Sequence, residues 1–173
     1  MAAVATACGP LHATISHSFG SAAVLLANAR HGIDAPLNVA LAPNVLIDDA
    51  VARFAKLAAL DDLERNALEA ALARHSGLGL DALQLTALVA RRDARLLVIH
   101  DREDGEVPVR HGECLATTWP GARLELTEGL GHRRILRDPR VIAETVAFVR
   151  HGVQPPASDL VREVDRALAS LDL

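Results

Sequence analysis

Apolar positions along this chain recur with two different periods, and they change over at punctuated places. Short apolar runs at Leu11 to His17, Leu37 to Leu41 between Pro36 and Pro43, and Arg95 to His100 around Leu96-Leu97-Val98-Ile99 have the length of strands. Ala122 to Thr127 alternates Leu124 and Leu126 with charged neighbours, as a half-exposed strand does. Helical spacing fills the intervals. It predicts helices over 18–30, closed by His31-Gly32, and over about Pro108 to Thr118, ended by Pro120, whose ring disfavours helical geometry at Trp119. A further helix opens at Asp138-Pro139, a cap followed by a first-turn proline, with Val141, Ile142, Thr145, Val146 and Val149 as its buried face. The ends of the chain read as helix too: Ala2 to Ala7, stopped by Gly9 and Pro10, and a terminal helix from Ser158 with Leu160, Val164, Leu168 and Leu171 on one stripe.

The stretch 47–93 has no strand signal. Ile47, Val51, Phe54 and Ala58 keep helical spacing, and Asp61 with Glu64 forms a capping box. A second such box, Asp81 with Gln84, precedes Leu85, Leu88 and Val89, and Gly77 and Gly79 break the run between them. The order of strands and helices therefore predicts an α/β fold with a parallel sheet of about four strands and right-handed crossovers. Its core would come from 1–46 and 94–173, with 47–93 inserted as a helical cap or lid. In such sheets the reactive groups gather beyond the carboxyl ends of the strands.

Composition narrows the classes. A chain of 173 residues, half of them hydrophobic, suffices for one domain with a core, and a net charge of −4 with scattered arginines offers no attraction to nucleic acid. No apolar run approaches the roughly 20 residues of a membrane span, and the first ten residues lack the basic flank of a signal peptide. Cys8 and Cys114 form no metal-spaced or redox pair, which fits reduced thiols and a cytoplasmic location.

The candidate chemistry sits at three strand ends. Ser16-His17-Ser18-Phe19-Gly20 reads as a strand running through one serine straight into a helix, the geometry of a nucleophile elbow. Such a turn calls for small residues two places either side of Ser18, here Ser16 and Gly20, and it leaves the Phe19 N–H at a helix N-terminus, where it can stabilise an oxyanion. A serine hydroxyl needs a base, for which His132 after Gly129-Leu130-Gly131 is the candidate. The imidazolium then needs a carboxylate; Asp101, Glu103, Asp104 and Glu106 crowd the loop after the third strand, with Asp104 best placed. As a bare helix cap Ser18 would be unremarkable. A metal site drawn from His100, Asp101, Asp104, His111 and His132 has the right donors but matches no metal motif. His12, His17, His31, His75 and His151 read as structural or surface groups, and Arg133 and Arg134 as surface ion pairs with a secondary reading as an anchor for a substrate anion.

Together, the Ser-His-Ser18-Phe-Gly elbow, the His100-Asp101-x-x-Asp104-x-x-Val107-Pro108 loop and the Gly129-x-Gly131-His132 loop resemble the α/β-hydrolase fold, specifically its small bacterial members with a helical cap. The resemblance runs from about Cys8 to His151 and selects Asp104 over Asp101. It implies a serine hydrolase acting on a carboxylic ester or related acyl bond, with Ser18, His132 and Asp104 as triad, the Phe19 N–H in the oxyanion hole, a small acyl substrate and no cofactor or metal. Ser16 stands where the family usually has glycine. The family's first strands, and the loop that gives the second oxyanion donor, would lie upstream of Met1. Loss of one such donor costs 10²–10³ in rate, on the order of 2.7–4 kcal/mol. On that reading strand 11–17 is a bare edge, which predicts either a homo-oligomer formed through it or poor solubility. The alternatives are a catalytically silent fragment acting as a binding protein, and a peptidase or haloperoxidase-like activity on the same triad.

Overall fold

The computed structural model of the protein describes residues 7–79, 83–84, 88–89 and 94–152. Ala7 and Cys8 are helical and Gly9 follows at φ 77°. The rest of the first expected helix, the Asp81 half of the second capping box and the terminal helix from Ser158 lie outside the described residues.

Four strands, β1 (Ala13–His17), β2 (Leu37–Leu41), β3 (Arg95–Asp101) and β4 (Arg123–Thr127), form one parallel sheet in the order β1-β2-β3-β4. Sequential parallel neighbours require crossovers on a constant face, and the packing follows that rule. Helix α1 (Phe19–His31) links β1 to β2, and α4 (Arg110–Thr118) links β3 to β4. Leu25 of α1 and Leu115 of α4 share a buried cluster with Ala40, Leu96 and Val98 on one sheet face. On the other face Leu37, Val39, Leu41, Leu97 and Ile99 pack against Val141 and Phe148 of α6 (Pro139–His151). The two central strands are thus covered on both sides, which explains why their sequences are apolar runs rather than alternations. Trp119 locks the end of α4 to the start of β3 by donating its indole N–H to the Ala94 carbonyl at 2.8 Å.

Two helices, α2 (Ile47–Leu57) and α3 (Asp62–Ser76), occupy the interval between β2 and β3. The Asp61 carboxylate accepts from the Glu64 N–H at 2.8 Å while the Glu64 carboxylate accepts from the Asp61 N–H, the capping box read from sequence. Only Val51 and Ala55 of α2 are buried and none of α3; Phe54, on the same helical spacing as Val51, is 54% exposed. The insertion is fastened at its base. His111 of α4, 1% exposed, accepts from the Val45 and Leu46 N–H groups at its Nδ1, 3.3 Å from each, and donates from Nε2 to Asp49 at 2.8 Å. Burial above all, against the pull of the Asp49 carboxylate, keeps the imidazole below its ordinary pKa.

Two expectations need correcting. The buried face of α6 is Val141, Thr145 and Phe148, whereas Ile142 and Val146 are 48% and 43% exposed. The spacing i, i+4, i+7 of the buried set is one helical stripe, and Ile142 and Val146 belong to the stripe beside it. At Gly20 a Cβ would meet no heavy atom within 4 Å, so no steric demand for glycine is present there among the described residues. At the edge of the sheet β1 pairs with β2 alone among the described residues, and Ile15 on it is 59% exposed.

Candidate active site

Each sequence-predicted site residue lies just past the carboxyl end of a strand: Ser18 after β1, Asp104 after β3, His132 after β4. Ser18 has φ 54° and ψ −129°, a region that a side chain makes costly, about 1–3 kcal/mol. Three backbone hydrogen bonds hold it there. Its N–H donates to the Leu41 carbonyl at 3.1 Å, and its carbonyl accepts from Ser21 and Asn44 at 3.0 Å each. Ser16, at the glycine position of the family pattern, fits because its hydroxyl is used: it donates to the Val39 carbonyl at 3.1 Å and lies 3.0 Å from the Ser21 hydroxyl.

The capping alternative fails on geometry. Ser18 occupies the N-cap position of α1, yet its hydroxyl makes no cap hydrogen bond. Phe19 is the first residue of α1, so its N–H has no intrahelical carbonyl to reach. Replacing Ser18 by glycine should relieve the strain; a denaturant melt is expected to find Ser18→Gly at least as stable as the parent, and a clear loss of stability would contradict the assignment of strain.

Asp104 and His132 meet. His132 donates from Nδ1 to Asp104 Oδ2 at 2.7 Å, with both side chains buried. The other carboxylate oxygen, Oδ1, accepts from the Glu106 and Val107 N–H groups, each at 2.8 Å. With Nδ1 as donor, His132 Nε2 is left as the lone-pair nitrogen, and among the described residues it has no hydrogen-bond partner. His132 lies not in an open loop but in a single helical turn, α5 (Gly131–Arg134).

Asp101, the carboxylate passed over, is fully buried and has a different task. It accepts from the Thr127 hydroxyl at 2.7 Å, the Leu130 N–H at 2.9 Å and the Glu103 N–H at 3.0 Å, tying the loops that carry Asp104 and His132. Burial opposes its ionisation more than any one neighbour favours it, but the Thr127 hydroxyl and the N–H groups of Leu130, Gly131 and Glu103 together hold it below the usual carboxylate range. A salt bridge spans the same two loops outside: Arg133 donates to Glu106 at 2.7 and 3.3 Å, and that contact lowers Glu106 while raising Arg133. Arg134 donates to the Gly129 carbonyl at 2.6 Å, so both arginines have partners within the protein.

Sequence reasoning gave His17 only a structural or surface reading, and His100 only a place in the loop motif and in the metal alternative. His17, the last residue of β1, stacks its ring 4.6 Å from that of His132 and donates from Nε2 to the His132 carbonyl at 3.0 Å. Its only signal was its place at a strand end beside Ser18. His100 is 0% exposed and lies against Asp104. Among the described residues no three His, Cys, Asp or Glu side chains converge as a metal site would require. A cleft of about 820 Å³ opens between α2 and the Asp104 loop, lined by Asn44, Arg53, Phe54, Glu106 and His111 among others. It adjoins the site at Asn44, whose N–H holds Ser18 in place.

No family model and no curated protein matches the sequence. Solved structures do. An α/β-hydrolase enzyme, MGS-MChE2, from the metagenome of lagoon sediments at Mar Chica, Morocco, is 14% identical with a TM-score of 0.57; the alignment covers 83% of this chain and 63% of that one. The esterase RhEst1 from Rhodococcus sp. ECU1013 is 18% identical with a TM-score of 0.58, over 86% of this chain and 69% of that one. A bromoperoxidase from Bacillus anthracis is 13% identical with a TM-score of 0.56, over 84% and 70%. This chain therefore spans about two thirds of the length of the proteins it matches. Identities this low speak for fold and not for activity, and what they establish is that the described residues form a four-stranded parallel part of the α/β-hydrolase fold.

Proposed function

We propose that the protein is a serine hydrolase that cleaves a carboxylic ester or related acyl bond, with Ser18 as nucleophile, His132 as general base and acid, and Asp104 as the carboxylate that orients His132. One observation carries the reading: a buried 2.7 Å His132–Asp104 hydrogen bond that leaves Nε2 without a partner among the described residues, in a chain whose strained, non-capping Ser18 directly follows His17; Ser18 Oγ itself makes no hydrogen bond to His132. Contact of His17 with His132 supports it, since His17 is joined to Ser18 by one peptide bond.

In the first step Ser18 Oγ attacks the substrate carbonyl carbon while its proton passes to His132 Nε2. The carbonyl π pair moves onto oxygen, and the Phe19 N–H donates to that oxyanion. As the intermediate collapses, the bond to the leaving group breaks and the leaving oxygen takes the proton from Nε2, which gives an alcohol and an acyl-serine. Water then repeats the sequence: its proton goes to Nε2, its oxygen bonds to the acyl carbon, and the proton returns to Ser18 as the acid departs. The chemistry draws on side chains and backbone alone. Helices α2 and α3 serve as the cap, and the cleft between α2 and the Asp104 loop receives the acyl substrate.

A fluorophosphonate probe tests the assignment. It should label the protein covalently at Ser18, and Ser18→Ala should abolish labelling while the fold persists. Absence of labelling in the folded parent chain would favour a binding role for the same scaffold.

A further inference from the structure

The carboxylate of Asp104 has a second imidazole neighbour that the triad does not use. His100, at the penultimate position of β3, is completely buried, and its Nε2 lies 3.0 Å from the Val107 carbonyl and 3.4 Å from Asp104 Oδ2. Its other nitrogen, Nδ1, is buried without a hydrogen-bond partner among the described residues. These facts fix the tautomer. Val107 O and Asp104 Oδ2 are both acceptors, so the proton must be on Nε2, and a proton on Nδ1 would have no acceptor. The ring is also tightly confined, because a Cβ placed on Gly112 of α4 would fall 2.7 Å from Nδ1 and 3.1 Å from the His100 Cβ.

We infer that His100 is a positioning residue: a neutral imidazole that clamps the Asp104–Val107 turn and so aims the Asp104 carboxylate at His132. The turn is gripped in both directions. Asp104 Oδ1 holds the Val107 N–H, while His100 Nε2–H holds the Val107 carbonyl and points past it toward Oδ2. Neutrality is part of the function. A lysine or arginine so close to Oδ2 would compensate the carboxylate's charge and leave less of it for the imidazolium that forms on His132. His100 supplies a donor without a charge, and burial, its strongest influence, keeps it from acquiring one. The groups facing it are Asp104, His132 and His111, and only the first is anionic.

The inference rests on the triad reading, so the test includes a readout that needs no turnover. The downfield ¹H resonance of the His132 Nδ1–H, bound to Asp104, is followed by NMR together with kcat and KM on an ester the parent hydrolyses. His100→Leu removes the donor and should weaken or abolish that resonance and lower kcat tenfold or more with KM little changed. His100→Gln, whose amide reaches the position of Nε2, should restore both in large part. If His100→Leu does not fold, Gly112→Ala serves instead: it drives a methyl against the ring, touches neither Asp104 nor His132, and should reproduce the loss. An unchanged resonance and kcat in a folded His100→Leu, or in Gly112→Ala, overturns the inference. A parent chain that neither hydrolyses esters nor takes the probe overturns the triad reading instead, whatever the resonance does.

Discussion

Asp104→Asn should lower kcat/KM by a factor on the order of 10⁴ while leaving the fold intact. The reason lies in the hydrogen bonds already made by Asp104. Oδ1 accepts from two backbone N–H groups, Glu106 and Val107, at 2.8 Å each, and only an oxygen can take that place. The asparagine amide is therefore forced into one orientation, with its NH₂ where Oδ2 was, facing His132 Nδ1. A donor there obliges Nδ1 to accept, so the imidazole proton moves to Nε2. That nitrogen can no longer take the proton of Ser18. Because the two backbone donors remain satisfied, and His100 Nε2–H, which loses its 3.4 Å neighbour Oδ2, keeps the Val107 carbonyl at 3.0 Å as acceptor, melting temperature should stay near that of the parent, which separates this variant from one that merely unfolds. The measurement is steady-state hydrolysis of an activated ester, alongside thermal denaturation. Retention of more than about a tenth of the parent's kcat/KM in a folded Asp104→Asn would sink the role given to Asp104.

Local signals in the sequence located the scaffold well because the features behind them are local. Leu37–Leu41 is bounded by prolines and matches its expected ends. Asp138 caps α6 through the Arg140 and Val141 N–H groups, and Asp61 and Glu64 cap α3, since capping residues act within one turn. Ser18, Asp104 and His132 stood out because each follows a strand end, where parallel sheets collect their polar groups. What could not be read depends on contacts distant in the chain. His111 drew notice only as a donor in the metal alternative, whereas its partner Asp49 is 62 positions away. His100 is buried by Gly112 from another element, and His17 meets His132 across 115 positions. Periodicity assigned Ile142 and Val146 to the buried face of α6, but an apolar surface with two adjacent stripes does not say which one the sheet will cover.

Asp101 is where fold and site depend on the same atoms, and its removal should be the most damaging single change to stability near the site. Its carboxylate satisfies the Glu103 N–H, one residue before Asp104, and the Leu130 N–H, two before His132, as well as the Thr127 hydroxyl at the end of β4. Asp101→Ala takes the acceptor away from these part-buried donors, removing three hydrogen bonds to a buried carboxylate at about 1–3 kcal/mol each, so a net loss of about 3–5 kcal/mol is expected. The loss should depend on pH in a definite direction. The folded-state pKa of Asp101 is depressed, so its stabilisation is fully present above the unfolded value of about 3.9 and disappears as pH falls through the folded value. The gap in unfolding free energy between parent and Asp101→Ala should accordingly be widest at neutral pH and narrow in acid. Denaturant titrations at stepped pH from 7 to 3 measure it. A gap below about 1 kcal/mol at pH 7, or one that widens in acid, would mean that the two loops are held by something other than this carboxylate.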